Sequence, residues 1–134
     1  MAFREPDEWV KPTGVVVQSM PVTLEAGRNH GGIDAAIEKV LNVPYGQNPA
    51  AYRQVSPETY IRPGVPPIFH LASDRETVFP VDESTAFLEK LRQMGCETRQ
   101  KIFAGEHGFF YDLVRPVQRE AFKDIQDFLE SLSA

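Results

Sequence analysis

Two loops in the second half of the sequence carry an acid and a histidine in positions suited to proton transfer. Glu76 lies just beyond a predicted strand, where open α/β sheets place ligands and catalytic groups. His107 follows the next predicted strand, and Gly105 and Gly108 let the backbone bend sharply there and leave the imidazole unshielded. A carboxylate bonded to one ring nitrogen leaves the other free to accept a proton from a nucleophile. Glu76 and His107 are therefore the candidate catalytic residues.

Each of these residues also has an ordinary structural interpretation. A glutamate in a loop is most often a solvated charge, and a histidine between glycines is often only a turn residue. The interval between the two leaves room for one helix and one strand, which allows contact without requiring it. Asp74 competes as the acid, although an aspartate followed by arginine is typical of a local Asx-type cap. His70, inside an apolar strand, is interpreted as a core histidine with a hydrogen-bond partner.

A nucleophile is harder to find than its partners. The 134 residues contain no Gly-x-Ser-x-Gly elbow, and without a nucleophile an acid and a histidine activate nothing. Ser19 ends a predicted strand but has no flanking glycines. Cys96 has no histidine near it in sequence, so a structural thiol is favoured. The run Asn29-His30-Gly31-Gly32 superficially matches an oxyanion motif, but it follows a strand at a point where that motif does not belong.

Composition and charge narrow the class of protein and its partners. With 42% apolar and 25% charged residues, the chain is typical of one globular domain spanning residues 1–134. A net charge of −5 gives no reason to expect nucleic acid or an anionic membrane as partner. The single cysteine excludes an internal disulfide, no spacing indicates a metal or cofactor site, and no signal peptide is recognised, so a cytoplasmic location is expected.

Apolar runs alternate with helical periodicities, and this alternation predicts βαβ units and a mainly parallel sheet. Strands are predicted at residues 14–19 (buried on both faces), 68–72 and, nearer an edge, 97–103. Helices are predicted after a cap at Asp34, over residues 82–94 with Gly95 as stop, and from Pro116 onward. The six prolines between residues 44 and 67 indicate a long structured connection without a regular element. The predicted inward-facing side chains are Ile33, Ile37, Val40, Leu41, Phe87, Leu91, Met94, Val117, Ala121, Phe122, Ile125, Phe128, Leu129 and Leu132.

Together these pieces resemble the C-terminal half of an α/β-hydrolase of the small esterase and prolyl-oligopeptidase-like type. The resemblance rests on residues 15–24, 47–49, 56–61, 66–80 and 105–109 and covers nearly the whole chain. It places the family's catalytic acid on Glu76, where aspartate is usual, and its catalytic histidine on His107. Ser73 and Glu106 stand where the family has glycines.

The resemblance implies a partial α/β-hydrolase fold: about three parallel strands with helices on both faces. It also implies a carboxylic-ester or peptide hydrolase that keeps two members of a Ser-His-acid triad, with a small ester or peptide as substrate once completed. The chain alone is expected to be inactive. The alternative is a catalytically silent remnant that acts as a binding or assembly module.

The strand at residues 14–19 is expected to leave an apolar edge, because the family's central strands precede this segment. A second copy of the chain, in a homo-oligomer, or the missing N-terminal half would cover that edge. The N-terminal segment, through Phe3 and Trp9, is a further candidate.

Overall fold

The structure is a computed structural model, and it describes residues 12–26, 32–110 and 113–133. Three parallel strands form one sheet in the order β1-β2-β3. Helices follow each strand along the chain, as the sequence predicts. The elements are β1 (Val15–Gln18), α1 (Asp34–Leu41), α2 (Pro49–Val55), a 3-10 turn (Pro57–Tyr60), β2 (Ile68–Arg75), α3 (Val81–Gln93), β3 (Thr98–Glu106) and α4 (Pro116–Ser131).

The predicted α/β fold class is confirmed. The central strand β2 separates two apolar cores. Alternate side chains of a strand point to opposite faces, so β2 contributes to both cores. On one face Phe69 and Leu71 pack with Phe103 of β3 and with Ala121 and Phe128 of α4. The other face is covered by α3, and its core consists of Met20, Val22, Phe87, Leu88, Leu91 and Cys96. Burial on both sides explains why the first five residues of β2 are apolar apart from His70.

Helices α3 and α4 lie within one residue of their predicted starts, but part of their predicted inner face is wrong. Gly95 ends α3 with a left-handed φ of +81°. Met94 is 45% exposed because it stands beyond the last helical residue. In α4, Ala121 and Phe128 are fully buried, whereas Phe122 and Leu129 are exposed. Each exposed residue follows a buried one by one position, and that step turns the side chain about 100° away from the core.

The connection over residues 44–67 is more regular than predicted, since it contains α2 and the 3-10 turn. Asn48 caps α2 by accepting a hydrogen bond from the amide of Ala51 at 3.2 Å, and Pro49 occupies the first helical position. Tyr52 anchors the helix because its buried hydroxyl donates to the Val43 carbonyl at 2.7 Å. The many prolines of this connection are therefore compatible with a short helix, and Asn48-Pro49 is the signal for its start in the sequence.

Helix α1 also departs from prediction. Its cap residue is Ile33, and Asp34 is the first helical residue, with no side-chain capping bond. Ile37 is buried, but Val40 is 83% exposed and does not share the buried face.

The two edge strands differ in length and burial. Strand β3 runs three residues further than predicted, to Glu106, and occupies one edge as expected. Strand β1 pairs in parallel with β2, with Val15 opposite Ile68 and Gln18 opposite Leu71. Its four residues are half-buried, so the prediction of a strand buried on both faces is wrong. No other described strand pairs with the outer edge of β1, and Phe3 and Trp9 lie outside the described residues.

Within the described parts of the chain, no helix combines the length and apolar character needed to cross a lipid bilayer. The same residues bring no three His, Cys, Asp or Glu side chains together as a possible metal site.

Candidate active site

The carboxyl ends of β2 and β3 bring Glu76 and His107 together. An irregularity between Ser73 and Arg75 shifts the strand register so that Arg75 lies opposite Glu106. Glu76 directly follows β2, and His107 directly follows β3. The Nδ1 atom of His107 lies 2.8 Å from Oε1 of Glu76. The glutamate reaches the imidazole in the place where the family resemblance puts an aspartate.

Glu76 is held as a buried, ionised acceptor. Its side chain is only 2% exposed, and Oε1 also accepts hydrogen bonds from the amides of Val78 at 2.8 Å and Phe79 at 3.2 Å. Burial by itself raises the pKa of this carboxyl. Interactions with the Val78 amide, Ser19, the Phe79 amide and His107 outweigh burial, so the pKa of Glu76 lies below its usual value.

The bond to Glu76 defines which nitrogen of His107 is available for chemistry. An ionised carboxylate only accepts hydrogen bonds, so Nδ1 carries the hydrogen and the neutral ring keeps its lone pair on Nε2. The side chain is 34% exposed, and the ring meets the Phe79 ring edge-on with centroids 5.6 Å apart. His107 also lines an open cavity of about 300 Å³. The imidazole is therefore oriented on one side and accessible on the other, as a general base requires.

Two polar side chains that are not part of the pair fix the loop carrying His107. Oδ1 of Asp74 accepts a hydrogen bond from the amide of Gly105 at 2.9 Å, so Asp74 joins β2 to β3 and is not the local turn cap considered above. Gln118 of α4 is buried and donates from Nε2 to the Phe109 carbonyl at 2.7 Å. Gln118 was not predicted from the sequence. The only signal was a polar residue beside Val117 on an otherwise apolar helical face.

The two glycines of this loop have different roles. Gly108 has a φ of +72°, a left-handed conformation that favours glycine. Gly105 is needed for space, because a Cβ atom there would lie 2.7 Å from Cβ of Phe109. The sharp turn after β3 therefore depends on both positions.

Comparison with solved structures reveals the same architecture in esterases. Thermogutta terrifontis esterase 2 with bound propionate superposes with a TM-score of 0.70 and 18% identity, over 98% of this chain and 48% of that chain. The same enzyme phosphonylated by sarin gives a TM-score of 0.72 and 18% identity, over 96% and 48%. Pyrococcus horikoshii acylaminoacyl peptidase gives 0.67 and 21% identity, over 90% and 19%. This chain has a partial α/β-hydrolase fold.

The α/β-hydrolase similarity extends to sequence over part of the chain. Esterase LipQ of Mycobacterium tuberculosis (strain ATCC 25618 / H37Rv) is 29% identical over 91 residues, which are 67% of this chain and 22% of that protein. The similar proteins therefore belong to the esterase and peptidase branch of the α/β-hydrolases. No protein-family model matches the sequence. The chain spans about half the length of the solved esterase and about a fifth of LipQ.

His70 of the α/β-hydrolase sheet is the predicted core histidine, and this prediction is confirmed. It is 1% exposed, its Nε2 accepts from the Met20 amide at 3.4 Å, and its Nδ1 lies 3.2 Å from the Gln100 side chain. Burial lowers the pKa of His70 to about 4, although the charge of Glu76 partly opposes this. His70 is therefore a neutral structural residue that fastens β1 to β2.

Neither of the remaining candidates, Ser19 and Cys96, has the structural setting expected of a nucleophile. Ser19 is buried at the end of β1 with a φ of +48°, and no glycine-flanked elbow surrounds it. Cys96 is buried before β3, at the opposite end of that strand from His107, and its Sγ lies 3.6 Å from the Arg62 carbonyl. The structural interpretation of this thiol is therefore favoured. Asn29, His30 and Gly31 lie outside the described residues.

Proposed function

We propose that this chain is the acid- and histidine-bearing part of a serine hydrolase that acts on a carboxylic ester or a peptide. The observation that carries the proposal is the 2.8 Å contact between His107 Nδ1 and Glu76 Oε1 at the carboxyl edge of the sheet. The similarity to esterases and to an acylaminoacyl peptidase supports the substrate class.

In the proposed reaction His107 transfers protons and Glu76 stabilises the charge that results. Nε2 accepts the hydroxyl proton of a serine as the serine oxygen attacks the substrate carbonyl carbon. The imidazolium then gives this proton to the leaving alcohol or amine, leaving an acyl-serine. A water molecule, activated by the same nitrogen, hydrolyses the acyl-serine and restores the serine. Glu76 remains ionised throughout, which its lowered pKa favours.

The serine and the oxyanion donors are proposed to lie in a segment outside these 134 residues. The sequence has no Gly-x-Ser-x-Gly elbow, and the chain aligns with 48% of the solved esterase. A reading frame directly upstream that encodes a strand, this elbow and a helix would support the hydrolase. A complete gene without such a frame would instead favour the silent remnant.

The isolated chain is expected not to hydrolyse p-nitrophenyl butyrate above the uncatalysed rate, because a base without a nucleophile forms no acyl intermediate. Release of p-nitrophenol measures this directly, with a His107→Ala variant as the matched control. Turnover by the wild-type chain that His107→Ala abolishes would contradict the proposal, since it would require a nucleophile within this chain.

We further propose that the free edge of β1 is an assembly surface. The Val15 amide donates to the carbonyl of Pro67, directly before β2, at 2.8 Å, and the Ser19 amide donates to the Leu71 carbonyl of β2 at 3.2 Å. Because successive amides of a strand point to opposite sides, the amide of Val16 faces the free edge. In the hydrolase this edge would receive the serine-bearing segment, whereas in the isolated chain a second copy would pair with it.

Sedimentation velocity is expected to show the isolated chain as a dimer. Val16→Pro removes an edge amide while leaving the hydrogen bonds of the Val15 and Ser19 amides in place, so it is expected to shift the dimer toward monomer. An unchanged far-ultraviolet circular dichroism spectrum would show that the variant keeps its fold. A wild-type chain that sediments as a monomer over the accessible concentration range would contradict the self-pairing of β1.

A further inference from the structure

Ser19 has an unusual backbone conformation at a critical place in the sheet. It ends β1, the strand next to β2, and it is buried with a φ of +48°. This left-handed region is rarely adopted by residues with a Cβ, and Ser19 is neither glycine nor asparagine. Such a conformation persists only where the surroundings enforce it, and it is concentrated at functional sites.

Hydrogen bonds to β2 on both sides of Ser19 enforce this conformation. The Ser19 amide donates to the Leu71 carbonyl at 3.2 Å, and the next amide, of Met20, donates to Nε2 of His70 at 3.4 Å. The chain is thus pinned before and after the Ser19 side chain. The hydroxyl is buried, and among the described residues Oγ has no hydrogen-bond partner of ordinary geometry.

The two carboxylate oxygens of Glu76 differ in their hydrogen bonding. Its Oε1 atom interacts with the amides of Val78 and Phe79 and with His107, but its buried Oε2 atom meets no hydrogen-bond partner in the part of the chain that the structure describes. A buried carboxylate oxygen that lacks a donor is costly. The Ser19 side chain nevertheless lowers the pKa of Glu76, which indicates that its hydroxyl lies near the carboxylate although the two groups are not aligned as a hydrogen bond.

We propose that Ser19 is a positioning residue whose hydroxyl donates to Oε2 of Glu76. Rotation about χ1 moves Oγ relative to Oε2, and rotation about the Cβ–Oγ bond then aims the hydroxyl hydrogen at the carboxylate. The contact fixes the plane of the carboxylate, and it leaves Oε1 to orient the imidazole of His107. In this proposal, the left-handed conformation after β1 directs the Ser19 side chain toward the Glu76 carboxylate.

This inference rests on the proposed function for its catalytic meaning, but the contact is testable in the isolated chain without any activity. The ¹³C resonance of the Glu76 carboxyl carbon reports its pKa as pH is varied. Hydrogen bonds to charged groups contribute enough that loss of the donor is expected to raise the pKa of Glu76 by about one unit.

Two replacements of Ser19 separate the hydroxyl from the backbone strain. Ser19→Ala removes the hydroxyl and keeps the strain at positive φ, whereas Ser19→Gly removes the hydroxyl and relieves the strain. Both are expected to raise the pKa of Glu76 equally. Ser19→Gly keeps the test valid if Ser19→Ala folds poorly, because glycine favours this conformation.

Ser73→Ala is the matched control, because Ser73, on the neighbouring strand, is also a fully buried serine whose Oγ has no hydrogen-bond partner within the described ranges. It is expected to leave the pKa of Glu76 unchanged. An unchanged pKa in Ser19→Gly would overturn the inference, as would an equal increase in Ser73→Ala. Because this titration involves no substrate, a failure of the proposed hydrolase leaves its outcome unaffected.

Discussion

In a hydrolase assembled from this chain and a serine-bearing segment, Glu76→Gln is expected to lower kcat by about 10⁴-fold and His107→Ala by about 10⁶-fold. Glutamine presents an amide that cannot stabilise the imidazolium, and its NH₂ group favours the wrong tautomer of His107. Alanine removes the base itself. Steady-state hydrolysis of p-nitrophenyl butyrate measures both effects. The double variant is expected to resemble the worse single variant, because the two residues act as one unit.

Asp74→Asn is the matched control for the change of charge. Asp74 lies two residues before Glu76, and its Oδ1 bonds the Gly105 amide rather than His107. Asparagine keeps an oxygen that can accept this bond, so we expect a loss of less than about tenfold. A larger loss in Asp74→Asn than in Glu76→Gln would assign the role of the acid to Asp74 and contradict the proposed pair.

Acidification from pH 7 to pH 4 is expected to destabilise the fold by about 3 kcal/mol through His70 alone. The pKa of His70 is about 4 in the folded chain and near 6.5 when exposed. The unfolded chain therefore binds the proton first. The contribution of His70 to the free energy of unfolding is fully present above pH 6.5. It is lost as pH falls toward 4, at about 1.4 kcal/mol per pH unit.

Urea unfolding of the wild type and of His70→Gln at several pH values isolates this effect. Glutamine keeps an oxygen that can accept from the Met20 amide but does not titrate, so the carboxylates contribute similarly to both proteins. The wild type is expected to lose its advantage in free energy of unfolding between pH 6.5 and pH 4. Parallel stability curves for the two proteins over this range would show that His70 is not the titrating group.

The acid and the histidine are predictable from sequence because each follows a strand end, and the carboxyl ends of parallel strands meet at one edge of a sheet. Helix α4 is predictable because its apolar residues repeat at helical spacing. The outward turn of Phe122 and Leu129 is not, because an apolar residue beside the buried stripe carries no mark of its exposure.

The interactions that support the pair depend on tertiary contacts between distant residues. The bond of Asp74 to Gly105 spans 31 positions. Gln118 meets the Phe109 carbonyl only after α4 has packed on the sheet. The positive φ of Ser19 arises from its hydrogen bonds with β2. It is not predictable from sequence, because residue 19 is neither glycine nor asparagine. Local patterns thus predict the elements and the proposed acid–histidine pair, whereas packing decides what orients that pair.

We propose that this chain supplies the acid and the base of a triad but not its nucleophile. The most direct test is the intact mass of the isolated chain after exposure to a fluorophosphonate, which phosphonylates activated serines. We expect the isolated chain to stay unmodified, and we expect labelling of the elbow serine once a serine-bearing segment is supplied. An adduct on Ser19 of the isolated chain that disappears in His107→Ala would overturn the proposal, because it would make Ser19 the nucleophile.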